Sequence, residues 1–306
     1  MQIIDVQFWG WIINAMIVLG TPLVLAGIGA MFSERSGVVN IALEGMMLMG
    51  GWAAVAACWY TDNPWIGVFA ALISGLILGA VHGLISVKLK GNQIVSGTGI
   101  ILFATGFTTL MLWVIWGTAG ASDAVVPLPD VRVPFIGLVS PLIFVMFALI
   151  PISWYILYRT SFGLRLRAAG EDPSTLDTAG INVENYRMYG VIISGVLSAL
   201  AGAQMSIGFG SRFTVGMTAG NGFLALAAMI FGNWNPIGVL FAGLFFGFLR
   251  AIAYGVQFAP GWGWLTGYSS FINMIPYAAV IVALGIIRRS VPPKAIAIPY
   301  IKEKQV

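Results

Sequence analysis

Residues 65–87 read WIGVFAALISGLILGAVHGLISV, a run of 23 positions without one Asp, Glu, Lys or Arg. As a helix it rises about 34 Å, enough to cross a hydrocarbon layer of ~30 Å. Within it Gly75, Gly79 and Gly83 recur every fourth residue. That spacing gives a small-residue face on which a second helix can pack closely. Comparable apolar runs lie at 9–32, 44–60, 94–117, 138–158, 188–208, 220–232, 236–255 and 270–288. Gly243 and Gly247 make a shorter face of the same kind. The run at 220–232 is too short to cross as a straight helix and is expected to be partial or broken. These runs predict an all-α polytopic membrane protein of about nine transmembrane segments (8–10). No long linker divides them, so residues 1–306 are read as a single transmembrane domain.

Composition narrows the function classes. Of 306 residues, 59% are hydrophobic and 8% charged, where a soluble domain carries about 25% charged residues. Mean hydropathy is +0.93. A soluble enzyme and a disordered chain are therefore excluded. With only Cys58 and His82 of their kinds, neither a disulfide framework nor a multi-histidine metal centre is expected. The same scarcity argues against an intramembrane enzyme. Glu44, His82 and Arg250 are few and scattered, which argues against an ion-coupled secondary transporter and leaves it as the lesser alternative. Met1–Gly10 lacks the basic region of a signal peptide, so the first run is expected to remain as a span.

Basic residues fix an expected orientation. Arg35, Lys88, Lys90, Arg159, Arg165, Arg167, Arg187, Arg288, Arg289, Lys294, Lys302 and Lys304 fall on one side of a nine-span arrangement. Arg132 and Arg212 fall opposite, and Arg250 lies in or near the end of the eighth run. The positive-inside rule then places the N-terminus outside and the C-terminus in the cytoplasm. Asp62, Asp123 and Asp130 face outward in this arrangement.

The longest polar stretch, residues 159–187, reads RTSFGLRLRAAGEDPSTLDTAGINVENYR. Asp172 followed by Pro173 is a helix-start signal and Gly180 a stop, predicting a short helix outside the membrane. Composition alone leaves two readings, a solvated loop or a docking element for a cytoplasmic partner.

Gly163, Arg167, Ala168, Gly170, Glu171, Pro173, Gly180 and Ile181 together resemble the coupling segment of ABC-importer permeases in the ribose, nucleoside and branched-chain amino-acid superfamily. Residues 34–51, ERSGVVNIALEGMMLMGG, resemble the second-span signature of the nucleoside or simple-sugar branch. Residues 92–97, NQIVSG, resemble the opening of its fourth span, and 220–238, GNGFLALAAMIFGNWNPIG, the block before its late spans. Ribose-type members carry an extra N-terminal span for which this sequence has no room, which leans toward nucleosides. The resemblance implies a permease subunit working by alternating access in a bacterial or archaeal cytoplasmic membrane. Its expected partners are a cytoplasmic ABC ATPase docking near Arg167, Gly170, Glu171, Asp172, Pro173 and Gly180, a second permease chain, and an external substrate-binding protein. Lipid surrounds it, and no nucleic acid is involved. No cofactor is expected in this chain, since it contains no G-x-x-x-x-G-K-[ST] motif. ATP and magnesium belong to the partner ATPase.

Candidates for the substrate path are Asn40, Glu44, Asn92, Gln93, Ser96, Asn221 and Phe223. Amides donate and accept at once, which suits a neutral hydroxylated solute, but they equally cap helices and bridge them. Glu44 falls four residues after Asn40, one helical face if both are helical. The alternative for Glu44 is a local structural role, including a pair with Arg35. Phe223, Trp234 and Trp52 are rings able to stack a base or to anchor a span end. His82, beside the glycine face, reads as an interhelical hydrogen bonder. Arg250 is open between snorkelling and facing a pore. A faint echo of Ala42–Met46 in Ala225–Met229 is compatible with an inverted repeat.

Overall fold

Turn chemistry fixes where the helices begin. Asn63, Asn92, Ser140, Thr160 and Asn182 each place a side-chain oxygen on a backbone N–H of the following first turn. Pro64 and Pro141 occupy first-turn positions, where a missing N–H costs nothing. The structure is a computed structural model that describes residues 6–134, 136–258, 268, 271–272, 274–286 and 290–301. Its helices are α1 (Val6–Arg35), α2 (Leu43–Thr61), α3 (Pro64–Gly83), α4 (Gln93–Trp116), α5 (Pro141–Arg159), α6 (Ser161–Glu171), α7 (Pro173–Thr178), α8 (Val183–Ala203), α9 (Asn221–Phe231), α10 (Pro236–Phe258) and α11 (Ile275–Ile286). Five-residue π-helical turns, Leu84–Lys88 and Gln204–Gly208, extend α3 and α8. A small antiparallel hairpin pairs β1 (Val131–Val133) with β2 (Gly137–Val139).

The first eight predicted apolar runs each coincide with a helix, and the described part of the ninth carries α11. Among the described residues, however, six helices are long and apolar enough to cross a membrane: those of α1, α3, α4, α5, α8 and α10. The ninth run lies partly outside the described residues, as do Arg288, Arg289, Lys302 and Lys304. The segment at 220–232 is α9, whose 11 residues rise about 16 Å, roughly half a hydrocarbon core.

The centre of the bundle is α1, α2 and α8. α1 packs along α10 and α8, α3 along α8, and α2 touches α3, α4 and α8. α2 is buried almost throughout despite Glu44, because other helices rather than lipid-facing surface surround it. α4 is peripheral, with Leu102, Phe103, Leu110 and Trp113 exposed. The glycine faces work as close-approach seams. A Cβ on Gly75 would lie 2.4 Å from the Gly195 carbonyl oxygen, and one on Gly247 2.4 Å from that of Met16. Gly79 and Gly83 meet Ile192 and Met188 of α8, and Gly243 meets Val24 of α1.

The bundle has two distinct ends. At one, the α1–α2 turn, α6, α7 and the segment 290–301 converge, and Lys88 pairs with Glu184 at 2.9 Å. At the other lie the β-hairpin, tied to Asn14 of α1, and residues 118–128, bonded to residues 207–215. Arg132, in β1, and Arg212, in the segment 207–215, lie at the hairpin end, and Arg35 and Lys88 lie at the other.

Candidate functional site

Two places gather the predicted residues, a junction of helix N-termini inside the bundle and the end formed by α6 and α7. At the junction Glu44, in the first turn of α2, accepts from the N–H of Gly220 at 2.8 Å and of Gly222 at 2.6 Å. These N–H groups sit at the start of α9, where no intrahelical carbonyl can receive them. Gly220 is left-handed (φ 82°), and a Cβ on Gly222 would fall 2.4 Å from the backbone nitrogen of Glu44. One carboxylate therefore faces the positive ends of two helices at once. The pair with Arg35 that the alternative reading allowed is not made. Arg35 instead lies 3.9 Å from Glu171 and donates to the Trp234 carbonyl at 3.0 Å. Asn40 does not share a helical face with Glu44, because α2 begins only at Leu43.

Asn221 opens α9 and is buried. Its Oδ1 accepts from the Arg250 guanidinium, which settles the orientation of that arginine: it faces inward. Arg250 lies 14 residues into α10, about 21 Å from its start, and lines two cavities. The larger, about 350 Å³, is bounded by Leu19 and Pro22 of α1 and by Phe209, Arg212, Met217 and Tyr254 among others. Pro22 interrupts α1 there, having no N–H for the Val18 carbonyl. The smaller, about 190 Å³, includes Tyr277, whose hydroxyl donates to the Ala219 carbonyl at 2.8 Å. Sequence reasoning raised Arg250 without placing it and missed both cavities. An unpaired cation in an apolar run was the available signal.

The remaining substrate-path residues lie elsewhere. Gln93 Oε1 accepts from the Val39 N–H at 2.8 Å, and His82 Nε2 lies 3.2 Å from the Val39 carbonyl. A carbonyl only accepts, so Nε2 carries the proton and, in the neutral ring, Nδ1 accepts from the Ser96 hydroxyl at 2.9 Å. Asn40 donates to Ser194 at 2.8 Å. These buried groups clamp the α1–α2 turn against α3, α4 and α8. Asn92 is exposed and caps α4 through the N–H groups of Ile94 and Val95. Phe223 is exposed and lines neither cavity. Trp234 is buried, its Nε1 donating to Glu34 at 2.7 Å, and Trp52 packs edge-on against Phe107. Neither ring lines a described cavity.

At the other end, α7 starts as its sequence predicts. Asp172 accepts from the Thr175 N–H and from the hydroxyls of Ser174 and Thr175. These hydrogen bonds, led by the Ser174 hydroxyl, hold its carboxyl down at about 2. Pro173 is the first helical residue, and Gly180 (φ 78°) ends the turn. The separate helix α6 was not anticipated. Gly170 is buried, and a Cβ there would lie 2.4 Å from the Arg35 carbonyl oxygen. Arg167 stacks over the Tyr158 ring at 5.0 Å. Arg187, placed in the loop by the charge pattern, is buried in α8. It donates to the carbonyls of Ala169 and Ile298.

A second unanticipated element is the strap 290–301, an irregular segment with a turn at 294–297. The Ala295 N–H donates to Gly170, Ala297 to Gly37, Lys294 to Glu171 and Val291 to Asn233. It therefore ties α6 to the α1–α2 turn and to the α9–α10 turn.

The sequence profile described as "Branched-chain amino acid transport system / permease component" matches residues 12–287. The chain belongs to this permease family. It is 37% identical to a guanosine ABC transporter permease of Bacillus subtilis over 98% of this chain and 99% of that protein. It is 36% identical to a nucleoside ABC transporter permease of Lactococcus lactis, covering 96% and 97%. A putative glucose ABC transporter permease of Haloferax volcanii is 35% identical, covering 80% and 78%. Among solved structures, an inward-facing putative metal-chelate type ABC transporter matches with a TM-score of 0.50 at 15% identity, covering 91% of this chain and 86% of that one. That last likeness concerns the fold alone. This permease is thus a multi-pass membrane subunit of the ABC transporter class.

Proposed function

We propose that the permease carries nucleosides inward across a bacterial or archaeal cytoplasmic membrane as half of a two-permease pore. The observation that carries this reading is end-to-end similarity to guanosine and nucleoside permeases at 36–37% identity. The glucose-permease relative is the specific reason to keep a simple sugar as the second reading. The hairpin end faces outward, toward a substrate-binding protein, and the end with α6, α7 and the strap faces the cytoplasm, as the basic residues favour. A separate ATPase docks on α6 and α7 and supplies the energy, with ATP and magnesium held there. The partner permease is a sister chain or a second copy, and exposed apolar faces such as Leu102, Phe103 and Phe241 meet that partner or lipid.

Alternating access follows a contiguous set of contacts. Motion of α7 reaches Gly170 and Glu171, which bear on Arg35 and Gly37. The α1–α2 turn leads directly to Glu44, Glu44 holds the start of α9, and Asn221 holds Arg250 beside the cavities. Each link is a close contact, so displacement at the docking face shifts the cavity wall.

The test is uptake by the complete transporter, with its ATPase, both permeases and binding protein, in proteoliposomes loaded with ATP. ATP-dependent accumulation of guanosine or uridine without accumulation of glucose is expected. Glucose accumulation alone would establish the second reading, and nucleoside uptake unaffected by omitting ATP would reject the ABC mechanism.

A further inference from the structure

We propose that the cavity bounded by Arg250 and Arg212 is a solute-binding chamber in which Arg250 selects nucleosides whose base presents two adjacent hydrogen-bond acceptors, as the O6/N7 edge of a 6-oxopurine does. The inference rests on the nucleoside reading above. At about 350 Å³ the cavity falls within the range of small-molecule sites. Its chemistry is lopsided. Two guanidinium groups can only donate, the hydroxyls of Tyr254 and Thr214 can donate or accept, Phe209 offers a ring, and Met217 adds a polarizable thioether. Among the described residues no carboxylate lines the cavity or pairs with either arginine.

A guanidinium has five N–H donors and accepts nothing. One nitrogen of Arg250 is committed to Asn221, and that bond, anchored on the buried start of α9, orients the side chain. The donors that remain form a planar fork, which fits two neighbouring acceptors best. Guanine and hypoxanthine present O6 and N7 side by side. Adenine sets a donor N6 beside N7, and cytosine presents its N4 donor on the corresponding edge. Burying a cation inside the membrane is costly when no anion compensates it, so an acceptor-rich solute gains from this position. Arg250 and Tyr254 also line the smaller cavity beside Tyr277, so a solute moving between the chambers stays within reach of the same fork.

The experiment compares guanosine with 7-deazaguanosine, which lacks the N7 acceptor, as uptake kcat/KM in the complete transporter. The ratio is measured in wild type and in Arg250→Gln with the same binding protein, whose own preference then cancels. The wild-type ratio should exceed that of the variant by at least about five-fold, the discrimination of one bidentate contact. Equal ratios would overturn the assignment. A second measurement needs no change at Arg250. A cysteine at Met217 in a Cys58→Ala background is labelled with a small charged thiol reagent in the complete transporter. Guanosine should slow labelling several-fold. A nucleoside that the same preparation transports, yet that gives no protection, would overturn the chamber. A preparation that accumulates glucose and no nucleoside would reject the underlying substrate reading, a result visible before any variant is made.

Discussion

Replacing Glu44 by Gln tests the junction most directly. The carboxylate receives two N–H groups of the α9 start, at 2.8 and 2.6 Å. A hydrogen bond to a charged group contributes about 1.5–3 kcal/mol, so the two together contribute about 3–6 kcal/mol. The Gln amide keeps one acceptor and turns an NH2 toward the other donor, so Glu44→Gln should cost about 2–4 kcal/mol and Glu44→Ala the full amount. On a chain of this size those losses lower the apparent melting temperature by about 3–9 °C at a fixed scan rate in detergent. Amide exchange at Gly220–Gly222, read by mass spectrometry, should accelerate in the same order. Gly222→Ala reaches the junction from the other side, because its Cβ would collide with the Glu44 backbone. It should cost about 1–3 kcal/mol alone and less in the Glu44→Ala background, since the bonds it strains are then already gone. Melting and exchange like wild type in Glu44→Gln would refute the argument, for the α9 donors would then be satisfied by another group.

Two further predictions concern the docking end. Gly170→Ala places a Cβ 2.4 Å from the Arg35 carbonyl oxygen, so it should push α6 off the α1–α2 turn. ATPase activity of the assembled complex should then persist while uptake falls at least ten-fold by order of magnitude, a loss of about 1.4 kcal/mol in coupling; proportional loss of both activities would contradict this. Asp172 is held at about 2, below its ordinary 3.8, so its cap is fully formed above about pH 4 and is lost only as pH falls through about 2. ATPase association, measured by co-purification, should therefore be insensitive to this group from pH 5 to 8 and weakened by Asp172→Ala throughout that range. A wild-type-like pH-independent affinity in Asp172→Ala would show that the cap does not shape the docking face.

The sequence disclosed what depends on local or periodic chemistry. The apolar runs, the glycine seams and the Asp172–Pro173 start are properties of neighbouring residues, and each appears where the pattern puts it. The short run at 220–232 also announced its incompleteness, because length alone decides whether a helix crosses. What stayed hidden depends on contacts between distant residues. Arg35 and Glu44 are near in sequence, yet each finds its partner beyond residue 170. Residue type offered Gln93, Ser96 and Asn40 as a polar path, and only the fold shows that their bonds run to Val39, His82 and Ser194 around the α1–α2 turn. Asn92 is so close to Gln93 that residue type could not separate an exposed cap from a buried brace. The strap gave no sequence signal, since PPKAIAIPY carries no helical period and its ties are to residues more than fifty positions away.

That strap has a consequence for biosynthesis. Lys294 and Glu171 stand 123 positions apart, and Arg187 reaches 111 positions forward to Ile298. The early helices insert, and α6 and α7 emerge, long before residues 290–301 are translated. Until then Gly170 and Gly37 lack their bonds from the strap, and the face formed by α6 and the α1–α2 turn is unfinished. If the ATPase docks there as proposed, only a chain translated through the strap presents the complete seat.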